Sequence, residues 1–404
     1  MTNPLAPEIS DEKELLLACL RAPSPADSDA RIAELLTHSI DWSVLIEDAR
    51  NHAVTPLVYS RLAALEAAVP AAAFGTLAES YRANSVRNIF LAAELARILE
   101  AFTAAEIEAI PYKGPMIAAQ AYRDLTLREF EDVDIIIPQR RIAAAHIVMR
   151  ELGFSPRYPW LHEAAGSRSF VPGEYAYQDA ACRAFVEVHT ERTLRHFLHP
   201  PDLDAYFRRS VAVNVGGREL RTFAPEDQLI FLAVHGAKDF WERLVWIADV
   251  AALLRATPEL DWHTLAFRAG NAGIERMLYV GMALAASLLH APLAASMVNG
   301  IRGDWRARAI AERLERRIVA PAPPPLGAAA RIGLRYQMIS GPASAARYAL
   351  RLAFVPSEVD YEAAKLPRVL RIFRGVLRPF RVMRKYSVRS QPPESETRVR
   401  PADH

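Results

Sequence analysis

Two carboxylates set two positions apart, Asp132 and Asp134, open the run Asp132-Val133-Asp134-Ile135-Ile136-Ile137. In a strand alternate side chains share a face, so both acids project to the same side. Close carboxylates repel and raise each other's pKa. A divalent cation between them reverses that balance. Hard oxygen ligands on a rigid strand suit Mg²⁺ or Mn²⁺, with nucleotide phosphates completing the shell. The plain alternative is a strand edge whose acids face water, and an isolated D-x-D favours that alternative.

Neighbouring residues shift the balance. Upstream, Lys113-Gly114-Pro115 forms a tight turn between an expected strand and an expected helix. Glycine lets backbone approach a phosphate, a helix N-terminus offers unpaired N–H groups, and Lys113 adds positive charge. Downstream, Glu187 sits in the alternating run Ala184-Phe185-Val186-Glu187-Val188-His189. A carboxylate in mid-strand is costly unless it pairs or binds metal. Three acids on adjacent strands beside a phosphate-binding turn make a two-metal nucleotidyl-transfer site.

The elements that must position these residues are readable from periodicity. Asn88 to Ala105 has apolar residues at helical spacing. Ile107 to Tyr112 alternates like a strand, Met116 to Tyr122 reads as a helix, and Val133 to Ile137 is a β-branched run ended by Pro138. Arg140 to Leu152 reads as a helix stopped by Gly153. The expected fold class is therefore α+β: a small mixed-sheet core over 85–200, embedded between an N-terminal helical region, 1–84, and a helical domain, 201–320. A C-terminal helical extension with a basic segment is expected over 321–387, beyond the stiff Pro321-Ala322-Pro323-Pro324-Pro325, and a disordered tail over 388–404. In the N-terminal region Ser10 and Asp41 are expected helix caps, and Thr55-Pro56 opens a further helix.

Composition narrows the function classes. The 404 residues are 51% hydrophobic and 24% charged, which excludes wholesale disorder. Two cysteines, Cys19 and Cys182, exclude a disulfide scaffold and a cysteine-built zinc site. No cationic segment followed by an apolar run opens the sequence, so a cytoplasmic location is expected. Met277 to Ile301 lacks charge, but Pro292 should end its helix near His290, leaving too few residues to span a bilayer. Net charge is +2, yet residues 368–389 carry eight basic residues and no acid, so the remainder is −6. Over 369–386 the arginines Arg371, Arg374, Arg378 and Arg381 follow one helical stripe. That stripe permits peripheral membrane contact; packing against the helical domain beside the cleft is the preferred reading.

Taken together, Lys113-Gly114, Tyr122 to Arg128, Asp132-Val133-Asp134-Ile135 and Glu187-Val188-His189 resemble the signature of the bacterial family labelled "uncharacterised nucleotidyltransferase". That family lies within the superfamily of the DNA-polymerase-β-like fold. Asp41-Trp42, His52 to Leu57, Pro225 to Leu229, His235 to Lys238 and Trp246 to Asp249 resemble its helical regions, and Phe354 to Ser357 with Arg378 to Arg381 its tail. The resemblance implies that Asp132 and Asp134 hold two metal ions bridging a triphosphate. It implies that Glu187 completes the second metal site and helps activate an acceptor hydroxyl, while Gly114 and Lys113 contact phosphate. One departure stands out: no serine follows Gly114, and Asp132 lies 18 positions later. Phosphate binding then falls to Lys113 or Arg128.

Other residues remain open between roles. Arg128 either clamps phosphate or pairs with Glu131. His189 either orients Glu187 or is structural. His235, Lys238, Glu242 and Asp249 would share one face of a continuous helix, as cleft lining or as an internal ionic cluster. Trp241 and Trp246 are expected in the core, and nothing marks Cys182 as a nucleophile. The expected activity is Mg²⁺-dependent transfer of a nucleoside monophosphate from an NTP, taken as ATP, to a hydroxyl or phosphate acceptor on a protein, peptide or small molecule. The rivals are a non-catalytic nucleotide-binding or antitoxin-like module on the same fold, and an enzyme modifying RNA ends.

Overall fold

Side-chain caps start several of the helices. In the computed structural model, which describes residues 9–21, 27–157, 173–191, 197, 201–321, 323–341, 344–347 and 350, Ser10 accepts from the Lys13 N–H and opens α1 (Asp11–Leu20). After α2 (Asp27–Leu35), Asp41 accepts from the N–H groups of Ser43 and Val44 and opens α3 (Trp42–Asn51). Each cap satisfies backbone donors that the first helical turn leaves unpaired. Pro56 stands at the start of α4 (Thr55–Leu62), where a missing N–H costs nothing.

α5 (Ala71–Ala104) is the longest element and runs unbroken across the boundary expected at residue 84. Beyond it lie β1 (Ile110–Pro111), β2 (Asp132–Ile136), α6 (Ile142–Glu151), β3 (Phe154–Pro156), β4 (Glu174–Asp179) and β5 (Phe185–His189). The five strands form one sheet in the order β1-β2-β5-β4-β3. β2 and β5 are parallel and the other pairs antiparallel. The core is thus α+β with a mixed sheet. The expected helix over Met116–Tyr122 forms, beginning as α-helix over Pro115–Ile117 and widening to π-helix over Ala118–Tyr122.

Strand alternation gives the sheet two distinct faces. Val133, Ile135, Val186 and Val188 enter one core with Leu91, Leu95, Ile98 and Phe102 of α5 and Met149 of α6. The other face carries Ile136 into a larger helical core. That core joins Leu15, Leu16, Val58 and Leu62 of the N-terminal helices to residues far along the chain. They belong to α8 (Pro225–Lys238), α9 (Leu244–Ala256) and α11 (Glu275–Leu289). Around them lie α7 (Leu203–Arg209), a β6–β7 hairpin (Val211–Val215 with Arg218–Thr222), α10 (Trp262–Ala272), α12 (Ala295–Gly303), α13 (Trp305–Val319) and α14 (Ala328–Met338). His52 ties the two ends of this body together: its Nδ1 accepts from Leu244 N–H at 3.2 Å and its carbonyl from Val245 N–H. The N-terminal and C-terminal helices therefore share one core.

The uncharged segment covers most of α11, which is mostly buried and stops at His290 in the left-handed conformation, and runs on into α12. No helix among the described residues is long and apolar enough to cross a membrane. The extension beyond α14, with its basic segment 369–386 and the tail 388–404, falls almost entirely outside the described residues.

Helices α8 and α9 correct another expectation. They are separate, because Phe240 and Trp241 both have positive φ. Trp241 folds back, its N–H reaching the Gly236 carbonyl at 2.8 Å, and its ring is fully buried. A Cβ on Gly236 would lie 2.5 Å from that ring, and one on Gly281 2.6 Å. Gly236→Ala should therefore destabilise the fold by about 1–3 kcal/mol through overpacking, read as a lower midpoint in urea. An unchanged midpoint would show that the indole has room to shift.

Candidate functional site

The register of β2 and β5 pairs Asp134 with Glu187 and Ile136 with His189. Asp132, Asp134, Glu187 and His189 therefore share the sheet face turned toward the helical body. Asp134 is buried, with 2% of its side chain exposed; Glu187 is more open at 31%. Lys113 Nζ donates to Asp134 Oδ1 at 2.8 Å, and His189 Nε2 lies 2.9 Å from the same oxygen. That nitrogen is also 3.3 Å from Glu187 Oε2. Ligand atoms of Asp134, Glu187 and His189 lie within 4.8 Å of one another.

Charge decides the protonation states. Burial opposes the ionised form of Asp134, but the Lys113 ammonium and the His189 hydrogen bond outweigh it and hold the carboxyl far below its ordinary value. Burial opposes the imidazolium of His189 as well, yet hydrogen bonds to Asp134 and Glu187 push it up to about 10. Glu187 is drawn down, burial again being outweighed by its hydrogen bond to His189. Asp132 has no such partner. No hydrogen bond or ion pair reaches its carboxylate among the described residues. Burial, then repulsion from Asp134 and Glu187, raises it to about 7.

Oxygen donors on adjacent strands, one of them partly buried and unpartnered, fit a hard divalent cation. Asp134 Oδ2, Glu187 Oε1 and the Asp132 carboxylate accept nothing among the described residues. His189 adjoins Asp134 and Glu187, and Asp132 stands outside the set of ligand atoms within 4.8 Å of one another.

The turn that carries Lys113 is fixed by close backbone approach. Gly114 has φ +49°, and a Cβ there would sit 3.0 Å from the Asp132 carbonyl. A side chain would both strain this conformation and press on the strand bearing the acids. Tyr112 N–H donates to the Asp134 carbonyl at 3.3 Å, so the turn and β2 are tied on both sides of Lys113.

Arg128 does not extend toward Lys113. It is buried, and its Nε and Nη2 grip Asp249 of α9 at 2.9 Å each. Tyr122 Oη donates to the same carboxylate at 3.0 Å, and Asp249 is fully buried. Of the two sequence readings for Arg128, phosphate clamp or Glu131 pairing, neither names this partner. Asp249 belongs to an internal ionic cluster, while Glu242 pairs with Arg331 of α14. His235 and Asp249 lie on different helices, so the four-residue helical face expected from the sequence does not form.

A set of positioning residues on α5 is not evident from the sequence motifs. Asn88 Nδ2 donates to the carbonyls of Leu125 and Arg128, at 2.6 and 2.7 Å. Asn84 Nδ2 donates to the Thr126 carbonyl, and Arg87 Nε to that of Phe130. The loop leading into β2 is thus tied down carbonyl by carbonyl. Asn84 and Asn88 are four apart and both buried on a helix otherwise burying apolar residues; that spacing is the signal available in the sequence. Asn88→Ala should cost about 1–3 kcal/mol by stripping the Leu125 carbonyl of its donor, measured by chemical denaturation.

A family model described as uncharacterised nucleotidyltransferase matches residues 38–290. The search of curated proteins finds no match. Among solved structures, the antibiotic-resistance factor ANT(2'')-Ia is 13% identical, covers 57% of this chain and 96% of its own, and superposes with a TM-score of 0.28. An antigenic nucleotidyltransferase-like protein from Paracoccidioides brasiliensis is 15% identical, covers 52% of this chain and 95% of its own, with a TM-score of 0.34.

Proposed function

The chain belongs to the uncharacterised nucleotidyltransferase family, and from that premise we propose that it is a Mg²⁺- or Mn²⁺-dependent enzyme moving a nucleoside monophosphate from an NTP to an acceptor hydroxyl or phosphate. The observation carrying this reading is the unpartnered Asp132 carboxylate beside Asp134 and Glu187. Three acids face two cationic side chains, Lys113 and His189, and that imbalance suits an added divalent cation.

In this reading Asp132, Asp134 and Glu187 hold the metal, which would neutralise the phosphates and polarise the one attacked. Lys113, one-fifth exposed and donating to Asp134, is the cation that this reading sets against phosphate oxygens. Gly114 keeps the turn close to β2. Arg128 acts from behind, fixing the loop before Asp132 against α9. Glu187 is the more open acid and accepts the proton of the attacking hydroxyl, with His189 holding its Oε2. The new acceptor O–P bond forms as the α-phosphate's bond to pyrophosphate breaks. ATP is the donor we favour, and a protein, peptide or small molecule the acceptor.

The test is incubation of the full chain with labelled NTPs, Mg²⁺ and a panel of acceptors including lysate, followed by detection of labelled product and pyrophosphate. Product that disappears in the double variant Asp132→Asn/Asp134→Asn supports the reading. Absence of both products with a folded protein counts against it. One observation favours a second reading, nucleotide binding without transfer: Lys113 and His189 both neutralise Asp134 through one oxygen. Calorimetric titration with Mg–NTP separates the cases. Binding without turnover points to the second reading, and no binding removes both.

A further inference from the structure

Helix α5 buries one side against the sheet and the N-terminal helices and leaves another side open. Along the open side stand Glu79, Arg82, Val86, Ile89 and Ala93, all exposed, at alternating spacings of three and four. Ala83 is exposed beside Arg82, and Phe90 is half-buried beside Ile89. Such spacing keeps a seam on one side of a helix, the pattern by which two helices pack knobs into holes. Val86 is 71% exposed and Ile89 59%. Exposed aliphatic side chains scattered singly are ordinary, but two adjoining ones between Ala83 and Ala93 form a patch.

Charges at the two ends of the patch select its partner. Glu79 and Arg82 precede it and have no ion-pair partner among the described residues. Glu94 and Arg97 follow it and pair with each other, Arg97 remaining 41% exposed. The order along the helix is therefore acid, base, patch, acid, base. A parallel copy in register would set Glu79 against Glu79 and Arg97 against Arg97. An antiparallel copy, related by a two-fold axis at the level of Asn88, sets opposite charges together instead. Glu79, nine positions before Asn88, then meets Arg97, nine positions after it. Arg82 stands at the level of Glu94, Ala83 at that of Ala93, and Val86 at that of Phe90. The alanines let the two backbones approach. Each Arg97 guanidinium has five N–H donors, enough to hold Glu94 and reach a second carboxylate. Self-complementarity of this kind is what a two-fold interface requires.

We propose that this seam of α5 is a homodimer interface, formed by a second copy of the chain packed antiparallel across Val86 and Phe90. From Glu79 to Arg97 the helix rises about 27 Å, a contact at the low end of stable interfaces, so the dimer should be reversible and of micromolar affinity. α5 covers the sheet face that carries Val133, Ile135, Val186 and Val188, opposite the face that carries the acids. A copy seated on α5 therefore leaves the candidate site open, and the proposal stands independently of the nucleotidyl-transfer reading.

The experiment is sedimentation velocity of the full chain over a concentration series spanning the micromolar range. The parent should pass from monomer to dimer as concentration rises, and association should weaken in high salt. Val86→Asp should weaken it about tenfold or more. Glu79→Arg and Arg97→Glu should each weaken it when alone, because each sets like charges face to face twice per dimer. Mixing these two variants should restore the dimer, since every contact between positions 79 and 97 in the mixed pair joins opposite charges. A parent that stays monomeric throughout the series overturns the proposal. A dimer unaffected by Val86→Asp or by Glu79→Arg lies on another surface and overturns it as well. Loss in both charge variants without recovery on mixing overturns the antiparallel register. Matching circular dichroism and melting curves establish that each variant is folded. Arg97→Glu also loses a bond to the Leu152 carbonyl; should it fail this check, Val86→Asp and Glu79→Arg carry the test, loss of the dimer in both supporting the proposal and an unchanged dimer in either overturning it.

Discussion

An Asp132→Asn variant stripped of metal should melt at a higher temperature than the parent at pH 8, while losing transfer activity. The parent carboxylate is raised from an ordinary 3.8 to about 7, first by burial and then by Asp134 and Glu187. The sign follows from linkage. A carboxyl whose folded pKa is raised binds more protons folded than unfolded between those two values. Its ionisation therefore opposes folding progressively from about pH 4 to pH 7, and by a constant amount above. Asparagine keeps the shape without the charge. The expected gain at pH 8 is roughly 2 kcal/mol, discounted from the full shift because the site relaxes, and it should vanish toward pH 4. Added Mg²⁺ should raise the melting temperature of the parent and not of the variant. Transfer should fall by about 10³-fold or more, since the lost metal contact acts on the transition state. A variant that melts below the parent at pH 8 would mean that Asp132 is held by a partner and not in reserve for a cation.

The second large effect concerns Asp249. Asp249→Ala should destabilise the protein by about 3–5 kcal/mol, because it strands the buried Arg128 guanidinium and the Tyr122 hydroxyl. Replacing Arg128 by methionine in the same chain should recover much of that loss, since an apolar pair of similar volume carries no unpaired charge. Urea denaturation of the two single variants and the double gives the coupling. Additive losses would show that the two side chains do not depend on each other. Activity should fall in the single variants as well, through the loop that enters β2. Charge-reversal to Arg128→Asp/Asp249→Arg tests whether the pair's orientation matters or only its neutrality.

Much of the site was legible because strand geometry constrains it. The alternation of Asp132, Asp134, Glu187 and His189 with Val133, Ile135, Val186 and Val188 places the acids on one face whatever the surroundings, and the observed register pairs Asp134 with Glu187. The Lys113-Gly114 turn was legible from glycine and proline. What the sequence did not disclose depends on contacts between distant segments. Arg128 meets Asp249 across 121 positions, and no local pattern encodes that distance. Helices α8 and α9 looked continuous because both are strongly apolar. The break follows from Trp241 seating between Gly236 and Gly281, a three-dimensional fit. Asn84 and Asn88 went unread because the loop they hold lies about 40 positions downstream, and the boundary expected at residue 84 separated them. Strand β3, only three residues at the sheet edge, carries too few alternations to register; β4 and the β6–β7 hairpin went unread because their polar outward positions, such as Glu174, Gln178, Arg218 and Arg221, leave a weak apolar pattern.

The shared core of the two helical ends has a consequence for biosynthesis. Leu15, Leu16, Val58 and Leu62 leave the ribosome early, but their partners in α8, α9 and α11 emerge more than 160 residues later. At translation rates of about 5–20 residues per second, that leaves a wait of roughly 10 s or longer. Throughout that interval the N-terminal helices can pack only on one another and on α5, and the surfaces that α8, α9 and α11 will cover stay open. A chain truncated before α11 should therefore yield an aggregating fragment rather than a folded shorter protein.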